Sequence, residues 1–359
     1  VCGILIRNRS FALLTVRRFS SQLVGEGKSA VKELSWKELA NLNYGKETKA
    51  HRQALKTTLN DLRRAVERWR NDGKEGIRDL KLIEIGSYAV GTSSNTSDLD
   101  VLAIPYSKDR NYKRIEEFQS KMNMENDMGM TFRRSQLLPM ANRISASLSL
   151  HRKASVRLRA QVPIIHGITN AGIIFDVQVG SIASLYSSNF VRLAFALDPR
   201  LIIVYHWLRE RTEKSDMFGG PAGLFTPFHL YMLILHFAQA TEILPVLMEE
   251  YGGHLSSARH WRDIAKEYWS KNVISPLYST DDLDEWAPVL TKQLVEYYAS
   301  IDFKNVEINV GRGVVKERST EKNLLLIEPF HDQENGVCRV NNGAELMNEL
   351  FAKLKNNLS

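Results

Sequence analysis

The sequence predicts an α+β protein made of a strand-containing first half and a mainly helical second half. The chain has 359 residues, which is long for one domain and sufficient for two cores. Short apolar segments bounded by turn residues lie between residues 80 and 179, which is typical of strands. From Asn189 to about Ser300 the apolar residues recur instead at helical spacing.

The first predicted element is a helix over residues 28–71, because Leu55, Leu59 and Leu62 recur at helical spacing before Asn71-Asp72-Gly73 ends the pattern. Strands follow, and the last two of them are expected to form a hairpin around a turn at residues 169–172. These predicted strands cover residues 80–85, 98–105, 160–168 and 172–179.

The second half is expected to contain helices, two further strands at residues 306–313 and 323–330, and a final helix at 344–357. Its longest apolar stretch, residues 230–248, is interrupted by polar residues and by Pro245. We therefore expect a buried helix there, and no membrane contact.

Residues 1–25 differ in composition from the rest, because they carry four arginines and several serines but no acidic residue. This composition is typical of a mitochondrial presequence, with Arg17-Arg18-Phe19-Ser20-Ser21 as the processing site. A basic tail without a targeting role is the alternative. The sequence thus predicts a location in the mitochondrial matrix.

The formal net charge is +7, and the arginines of residues 1–25 supply more than half of it. No acidic residue occurs between Met128 and Phe175. A block of one sign is a candidate phosphate-binding surface, with a solvated basic face as the alternative. The cationic residues of the block are Arg133, Arg134, Arg143, Arg152, Lys153, Arg157 and Arg159.

Cys2 and Cys338 are too few for a disulfide framework or a zinc site.

The segment GSYAVGTSSNTSDLD, residues 86–100, combines a small turn with two aspartates at alternate positions. Because strand side chains alternate between faces, Asp98 and Asp100 point the same way, with Cα atoms roughly 6.5 Å apart. Carboxylates at that spacing can share hard divalent ions in a two-metal phosphoryl site. Gly86 lets the backbone approach a phosphate, and Ser87 begins a helix whose free N–H groups favour an anion.

Asp176 is a candidate third carboxylate, because it lies within the apolar strand IIFDVQV. An unpaired charge in such a strand is costly, so this aspartate is expected to bind a cation or to act as a base. A strand-end cap or a surface charge explains one aspartate well. It explains all three poorly when Gly86-Ser87 lies upstream.

These motifs resemble the DNA polymerase beta superfamily of nucleotidyltransferases. The segments SDLDVLAIP and VPII, with the helical second half, are similar to non-canonical poly(A) polymerases and terminal uridylyltransferases. With the presequence, the chain looks most like the trypanosome mitochondrial RNA-editing uridylyltransferases. The resemblance covers residues from about 27 to the end. It implies a catalytic domain with a mixed β-sheet and a mainly helical nucleotide-recognition domain, with the ligand in the cleft between them.

The resemblance also implies roles for single residues. Asp98, Asp100 and Asp176 would hold Mg²⁺ or Mn²⁺, and Asp176 would help to deprotonate the RNA 3′-hydroxyl that attacks the α-phosphorus and expels pyrophosphate. Ser87 would contact the β- and γ-phosphates, and Asn189 the ribose. The implied nucleotide-binding residues are Gly86, Ser87, Ser97, Asn189, Arg209, Phe228, Glu328 and His331.

The sequence departs from the family where a helix normally carries VKxWAK. VYHWLRER has Tyr205 at the first lysine, so triphosphate binding would depend more on Arg209. Phe228 keeps an aromatic face for base stacking but lacks the hydroxyl of the family's tyrosine. Residues 328–335 replace the base-reading motif. Their acceptors suit N3–H of uracil, although the amine of adenine is also a donor.

We therefore expect a terminal uridylyltransferase that adds UMP from UTP to RNA 3′ ends, with an RNA-editing complex as a further partner. The alternatives are a mitochondrial poly(A) or oligo(A) polymerase and a catalytically silent RNA-binding subunit. The stretch at about 106–160 is an expected insertion that forms a structured element contacting RNA or the helical domain. The expected divisions are residues 1–25 as presequence, 26–72 as a helical segment packing on the C-terminal domain, 73–187 as the catalytic domain, and 188–359 as the helical domain.

Overall fold

The computed structural model describes most of the chain after residue 48. All described residues belong to one compact unit, Trp36–Ser359. The presequence and the start of the predicted first helix lie outside them, and the predicted boundaries at 72/73 and 187/188 stay predictions. The described residues are 49–70, 80–105, 117–118, 120–122, 124, 126–158, 162–179, 183–213, 225–249, 283–319, 322–328 and 338–358.

The first half is built on a five-stranded mixed sheet, and the predicted α+β class is confirmed. Its strands are β1 (Leu80–Glu84), β2 (Leu99–Pro105), β3 (Leu150–Arg157), β4 (Ile164–Thr169) and β5 (Ile174–Val179). The strand order is β1-β2-β5-β4-β3. β2 and β5 run parallel, and the other neighbouring pairs are antiparallel, including the predicted hairpin β4–β5.

Two helices, α1 (Lys49–Arg70) and α3 (Asp127–Ser147), cover one face of this sheet. Leu55, Leu59 and Leu62 of α1 are buried with Val101 and Val177 from the strands. We expected residues 26–72 to pack on the C-terminal domain. The described part of this segment packs on the five-stranded sheet, because its apolar stripe matches the apolar face of β1 and β2, and its packing on the C-terminal domain stays a prediction.

The segment predicted as an insertion at about 106–160 is structured over most of its described residues. It is an integral part of the sheet and its cover, because Leu137, Met140 and Ile144 of α3 lie in the same core and β3 is an edge strand. β3 was not predicted. Its register shifts twice against β4, between Leu150 and Ser155, and these bulges obscure the two-residue period.

The second half contains five helices among the described residues: α4 (Ala183–Leu197), α5 (Arg200–Glu213), α6 (Pro227–Ala240), α7 (Leu283–Ala299) and α8 (Gly343–Leu358). α6 is almost fully buried, as the apolar stretch predicts. Among the described helices, none is both long enough and apolar enough to cross a membrane.

A four-stranded sheet of order β7-β6-β8-β9 accompanies these helices. Its central strands β6 (Val306–Asn309) and β8 (Leu324–Glu328) fall within the two predicted strands. The outer strands β7 (Val314–Glu317) and β9 (Cys338–Asn341) were not predicted.

Candidate functional site

The parallel pairing of β2 and β5 brings the three predicted carboxylates together. Asp100 on β2 lies directly opposite Asp176 on β5, and Asp98 immediately precedes β2. One carboxylate oxygen from each residue lies within 4.8 Å of the others. Leu99 and Val101 point to the opposite face and are fully buried, as strand alternation requires.

The cluster is electrostatically unfavourable without a cation. Burial, together with the neighbouring charges of Asp98 and Asp176, raises the pKa of Asp100 to about 8. Burial also raises the pKa of Asp98, although a backbone hydrogen bond lowers it in part. Three hard oxygen donors that repel one another are a fitting ligand set for Mg²⁺ or Mn²⁺.

His166 on β4 is a residue that the sequence prediction missed. It lies opposite Asp176 in the β4–β5 register, and its Nδ1 is 2.7 Å from Asp176 Oδ1. Because an ionised carboxylate only accepts, Nδ1–H is the donor. The imidazole therefore orients the third carboxylate of the cluster.

Gly86 is required by its contact with Asp100. Its φ is +66°, and a Cβ placed on it would lie 2.3 Å from Asp100 Oδ2. We expected this glycine to allow a phosphate to approach the backbone. The structure shows a second reason, since any side chain here would displace a carboxylate of the cluster. Gly86 begins α2 (Gly86–Val90), the short predicted helix.

The second half of the chain holds α2 in place through α4. Ser188 Oγ accepts a hydrogen bond from Gly86 N at 3.1 Å, and it donates to Ser184 O at 2.8 Å. Arg192 Nε donates to Ala89 O at 2.6 Å. Two consecutive turns of α4 thus bind the first and the penultimate residue of α2, and so position the turn beside the carboxylates.

Tyr205 belongs to an aromatic cluster and is fully buried. Its ring stacks on Tyr231 at 4.4 Å between centroids, and Tyr231 is hydrogen-bonded to Thr92 in the loop after α2. Tyr205 therefore packs between α5 and α6. Burial raises the pKa of Tyr205, so it stays neutral.

Several predicted nucleotide-binding residues have definite positions. Ser87 is in the single turn of α2, and Ser97 Oγ accepts from Ser94 N at 2.8 Å in the loop before Asp98. Asn189 follows Ser188 on α4 and is partly buried. Arg209 Nε donates to Glu213 Oε1 at 2.7 Å on α5.

The predicted base-binding residues are only partly described. Phe228 is partly buried in the first turn of α6, just after the capping residue Thr226. Glu328 is the last residue of β8, where it pairs with Asn309 of β6. His331 lies outside the described residues. Their roles in nucleotide binding therefore stay predictions.

The predicted basic block divides into buried and exposed residues. Arg133 is buried, and its guanidinium binds the carbonyl oxygens of Met122, Met124 and Leu158, so it has a structural role. Arg159 lies outside the described residues. The exposed cations are Arg134 on α3 and Arg152, Lys153 and Arg157 on β3.

A mixed sheet with carboxylates on its parallel pair, a Gly-Ser turn beside them and a helical second half together define the nucleotidyltransferase fold. Among solved structures, the chain matches terminal uridylyl transferase 4 from Trypanosoma brucei at 12% identity, with TM-score 0.62 over 90% of this chain and 98% of that one. The match to the Cid1 poly(U) polymerase has 15% identity and TM-score 0.59, over 90% and 95%.

The non-canonical poly(A) polymerase complex GLD-2–GLD-3 matches at 19% identity with TM-score 0.50, over 74% of this chain and 77% of that one. No protein-family model and no curated protein sequence matches the chain. At these identities the comparisons establish the fold and leave the substrate to be proposed.

Proposed function

We propose that this protein is an RNA nucleotidyltransferase that adds uridylate from UTP to RNA 3′ ends. One observation carries the proposal, namely the convergence of Asp98, Asp100 and Asp176 within 4.8 Å beside the Gly86 turn. The fold supports it, since solved structures of this fold include a terminal uridylyl transferase, a poly(U) polymerase and a poly(A) polymerase.

The three carboxylates would hold Mg²⁺ or Mn²⁺, which stabilises the charge that develops on the triphosphate during phosphoryl transfer. Asp176, oriented by His166, accepts the proton of the RNA 3′-hydroxyl. The 3′-oxygen forms a bond to the α-phosphorus while the bond to the β-phosphate oxygen breaks, and pyrophosphate leaves. The Gly86-Ser87 turn lies beside the cluster, where it would contact the β- and γ-phosphates.

Uracil would be selected through its edge, because an aromatic ring such as Phe228 stacks on every base. The acceptors of residues 328–335 match N3–H of uracil. Cytosine has an unprotonated N3, and two acceptors facing each other in a desolvated pocket cost about 1–3 kcal/mol, or roughly ten- to a hundred-fold in rate. Preference over ATP is supported by the family resemblance of the sequence.

Competition among the four triphosphates on an unstructured RNA tests the proposal. We expect UTP to be incorporated best in the presence of Mg²⁺ or Mn²⁺. Preferential use of ATP would assign a poly(A) or oligo(A) polymerase instead. No incorporation of any nucleotide, with RNA binding retained, would favour a catalytically silent subunit.

Substitution of the carboxylates tests the site independently of the base. Asp98→Asn, Asp100→Asn and Asp176→Asn should each lower kcat by at least about 10³-fold, because positioning and charge stabilisation supply most of the catalysis of phosphoryl transfer. Asp284→Asn is the matched control, since Asp284 is exposed on α7. Substantial residual activity in any of the three would contradict the assignment of that residue.

We further propose a mitochondrial matrix location, with an RNA-editing complex as a partner. The composition of residues 1–25 supports the location. Fusion of residues 1–25 to a fluorescent protein should direct it to mitochondria, and substitution of the four arginines should abolish this targeting. A diffuse signal from the unmodified fusion would contradict the location.

A further inference from the structure

The face of the five-stranded sheet that carries the carboxylates continues beyond them to the edge strand β3. Residues paired directly across neighbouring strands share a face, and Asp100 pairs with Asp176, Asp176 with His166, and His166 with Ser155. These four residues form one row across four strands. α1 and α3 pack on the other face, where Val101, Val177 and Ile165 are buried.

The cations of β3 lie on the same face as this row. Ala154 and Val156 pack against the core, so the alternate residues point to the carboxylate face. Arg157 pairs with Ile164 of β4. Arg152 pairs with Ile168 of β4. The bulge between Arg152 and Ser155 interrupts the alternation, so Arg152 points to the same face as Ser155 and not to the face of Ala154. The two arginines therefore flank the row on either side.

These cations are available to a ligand. Arg152, Lys153 and Arg157 are exposed, and within the part of the chain that the structure describes none of them forms an ion pair. No acidic residue occurs in sequence between Met128 and Phe175. The edge of the sheet is thus positive, while the carboxylate cluster two strands away is negative.

Isoleucines lie on either side of His166 on the surface between the cluster and the cations. Ile174 on β5 is 39% exposed, and Ile168 and Ile164 on β4 are partly buried. β3 lies two strand spacings from β5, or roughly 10 Å. This span is short enough for the few nucleotides that precede the 3′ end of an RNA strand. The isoleucines offer contacts to sugars and bases, and the edge offers contacts to phosphates.

We propose that the single-stranded 3′ end of the acceptor RNA crosses this face, with its terminal hydroxyl at Asp176 and its upstream phosphates on Arg152 and Arg157. The inference rests on the proposed function, and it adds the route of the acceptor strand. A single strand is favoured over a duplex, because the isoleucines contact bases that a duplex keeps paired.

Replacement of both arginines by alanine tests this route. Fluorescence anisotropy with an unstructured RNA should show at least tenfold weaker binding for the variant Arg152→Ala/Arg157→Ala. For single strands, the binding constant falls with salt concentration, and each phosphate contact contributes about 0.7 to the steepness of log K against log salt. The plot for the double variant should therefore be less steep by about 1.4. The KM for UTP at saturating RNA should stay within about twofold, since neither side chain contacts the triphosphate.

Lys49→Ala/Lys56→Ala is the matched control. Both lysines are exposed on α1, which covers the opposite face of the sheet, so the same charge is removed without an effect on the route. Circular dichroism and thermal denaturation should show both double variants to be as stable as the parent. The loss in the arginine variant should also grow with primer length, because only longer primers reach β3.

The outcomes separate this inference from the proposed function. Unchanged RNA affinity and salt slope in the arginine variant, with activity still abolished by Asp100→Asn, would overturn the route and leave the function standing. Absence of nucleotidyl transfer in the parent, with weaker RNA binding by the arginine variant, would overturn the function and leave an RNA-binding face. Equal losses in the lysine control would also overturn the route, since they would show that only net charge matters.

Discussion

Asp100 occupies the space beside Gly86 that a side chain at this position would fill. Gly86→Ala would place a methyl group 2.3 Å from Asp100 Oδ2 and would also strain a residue with φ +66°. The carboxylate must then move out of the cluster. We expect kcat to fall by at least about a hundredfold, because an ångström-scale misplacement has this effect on positioned groups.

Gly91→Ala separates the contact from the backbone strain. Gly91 also has a positive φ, +91°, but no atom lies within 4 Å of its added Cβ. It should lose about 1–2 kcal/mol of stability and retain near-normal kcat once folded. Steady-state kinetics beside thermal denaturation checks both variants. Equal losses of kcat in the two variants would show that backbone strain, and not displacement of Asp100, explains the effect of Gly86→Ala.

His166 is expected to be a positioning residue that acts through Asp176. His166→Ala removes the hydrogen bond to Asp176 Oδ1 and should lower kcat about 10- to 100-fold with little change in the KM for the triphosphate. His166→Asn retains an N–H donor near the position of Nδ1 and should recover much of the loss. Failure of asparagine to recover activity, or an effect confined to KM, would contradict this role.

At the scale of elements, α4 connects the second half of the chain to the Gly86 turn. Ser188→Ala removes the acceptor of Gly86 N–H, a partly buried hydrogen bond that contributes about 0.5–1.5 kcal/mol. We expect stability to fall by about that amount and kcat/KM for the triphosphate to fall about tenfold, because α2 is no longer held.

Ser135→Ala on α3 is the matched control for this substitution. Ser135 also donates to a carbonyl of its own helix, but it is exposed and remote from α2. It should change neither stability nor kcat/KM by more than experimental error. Chemical denaturation and initial-rate measurements on both variants decide the question. A similar effect in both variants would show that the loss comes from removal of a serine hydroxyl from a helix, and not from the lost contact with Gly86.

The β4–β5 hairpin shows why the sequence indicated the carboxylates but not His166. The sequence predicts a turn at residues 169–172 but does not fix the pairing. In the structure Thr169 N–H donates to Ile173 O and closes a loop of three residues, with Gly172 at φ +79°. A shift of one residue in the pairing of β4 with β5 would move every side chain of β4 to the opposite face of the sheet. Only the observed register places His166 opposite Asp176.

The alternation around Asp98 and Asp100 was sufficient to predict the face that they share, whereas the position of Asp176 beside them depends on the pairing of β2 with β5. The packing of α1 could not be predicted in the same way. An apolar stripe such as Leu55, Leu59 and Leu62 shows that a helix packs on an apolar surface, but it does not identify that surface. The cations of β3 were noted in sequence, but their face depends on bulges that no sequence period reveals.

At the scale of the whole molecule, the carboxylate cluster should make stability depend on pH and on divalent metal. The pKa of Asp100 is raised from 3.8 to about 8 in the folded protein. Its stabilising contribution is therefore fully present below pH 4 and is lost as pH rises through about 8. Without metal, the protein should be less stable above pH 8 than below it, and Mg²⁺ should remove the difference.

Asp100→Asn isolates this effect from other titrations. In EDTA the variant should have the higher Tm above pH 8, by about 2–4 °C for each kcal/mol gained. With saturating Mg²⁺ the order should reverse, because the variant binds metal less well. A thermal denaturation series in pH and Mg²⁺ measures both. A lower Tm for the variant in EDTA would show that the cluster does not strain the fold.

The parallel pairing of β2 and β5 also bears on the order in which the protein folds. These strands are far apart in sequence, whereas β3, β4 and β5 follow one another directly. Loop-closure entropy favours the local hairpins early and the β2–β5 contact late. Asp100→Asn should therefore alter the unfolding rate in EDTA and leave the folding rate nearly unchanged, which stopped-flow chevrons can measure. An equal change in the folding limb would place the contact in the transition state. The chain would thus form its local hairpins before it brings the like charges together, and their repulsion would not slow its folding.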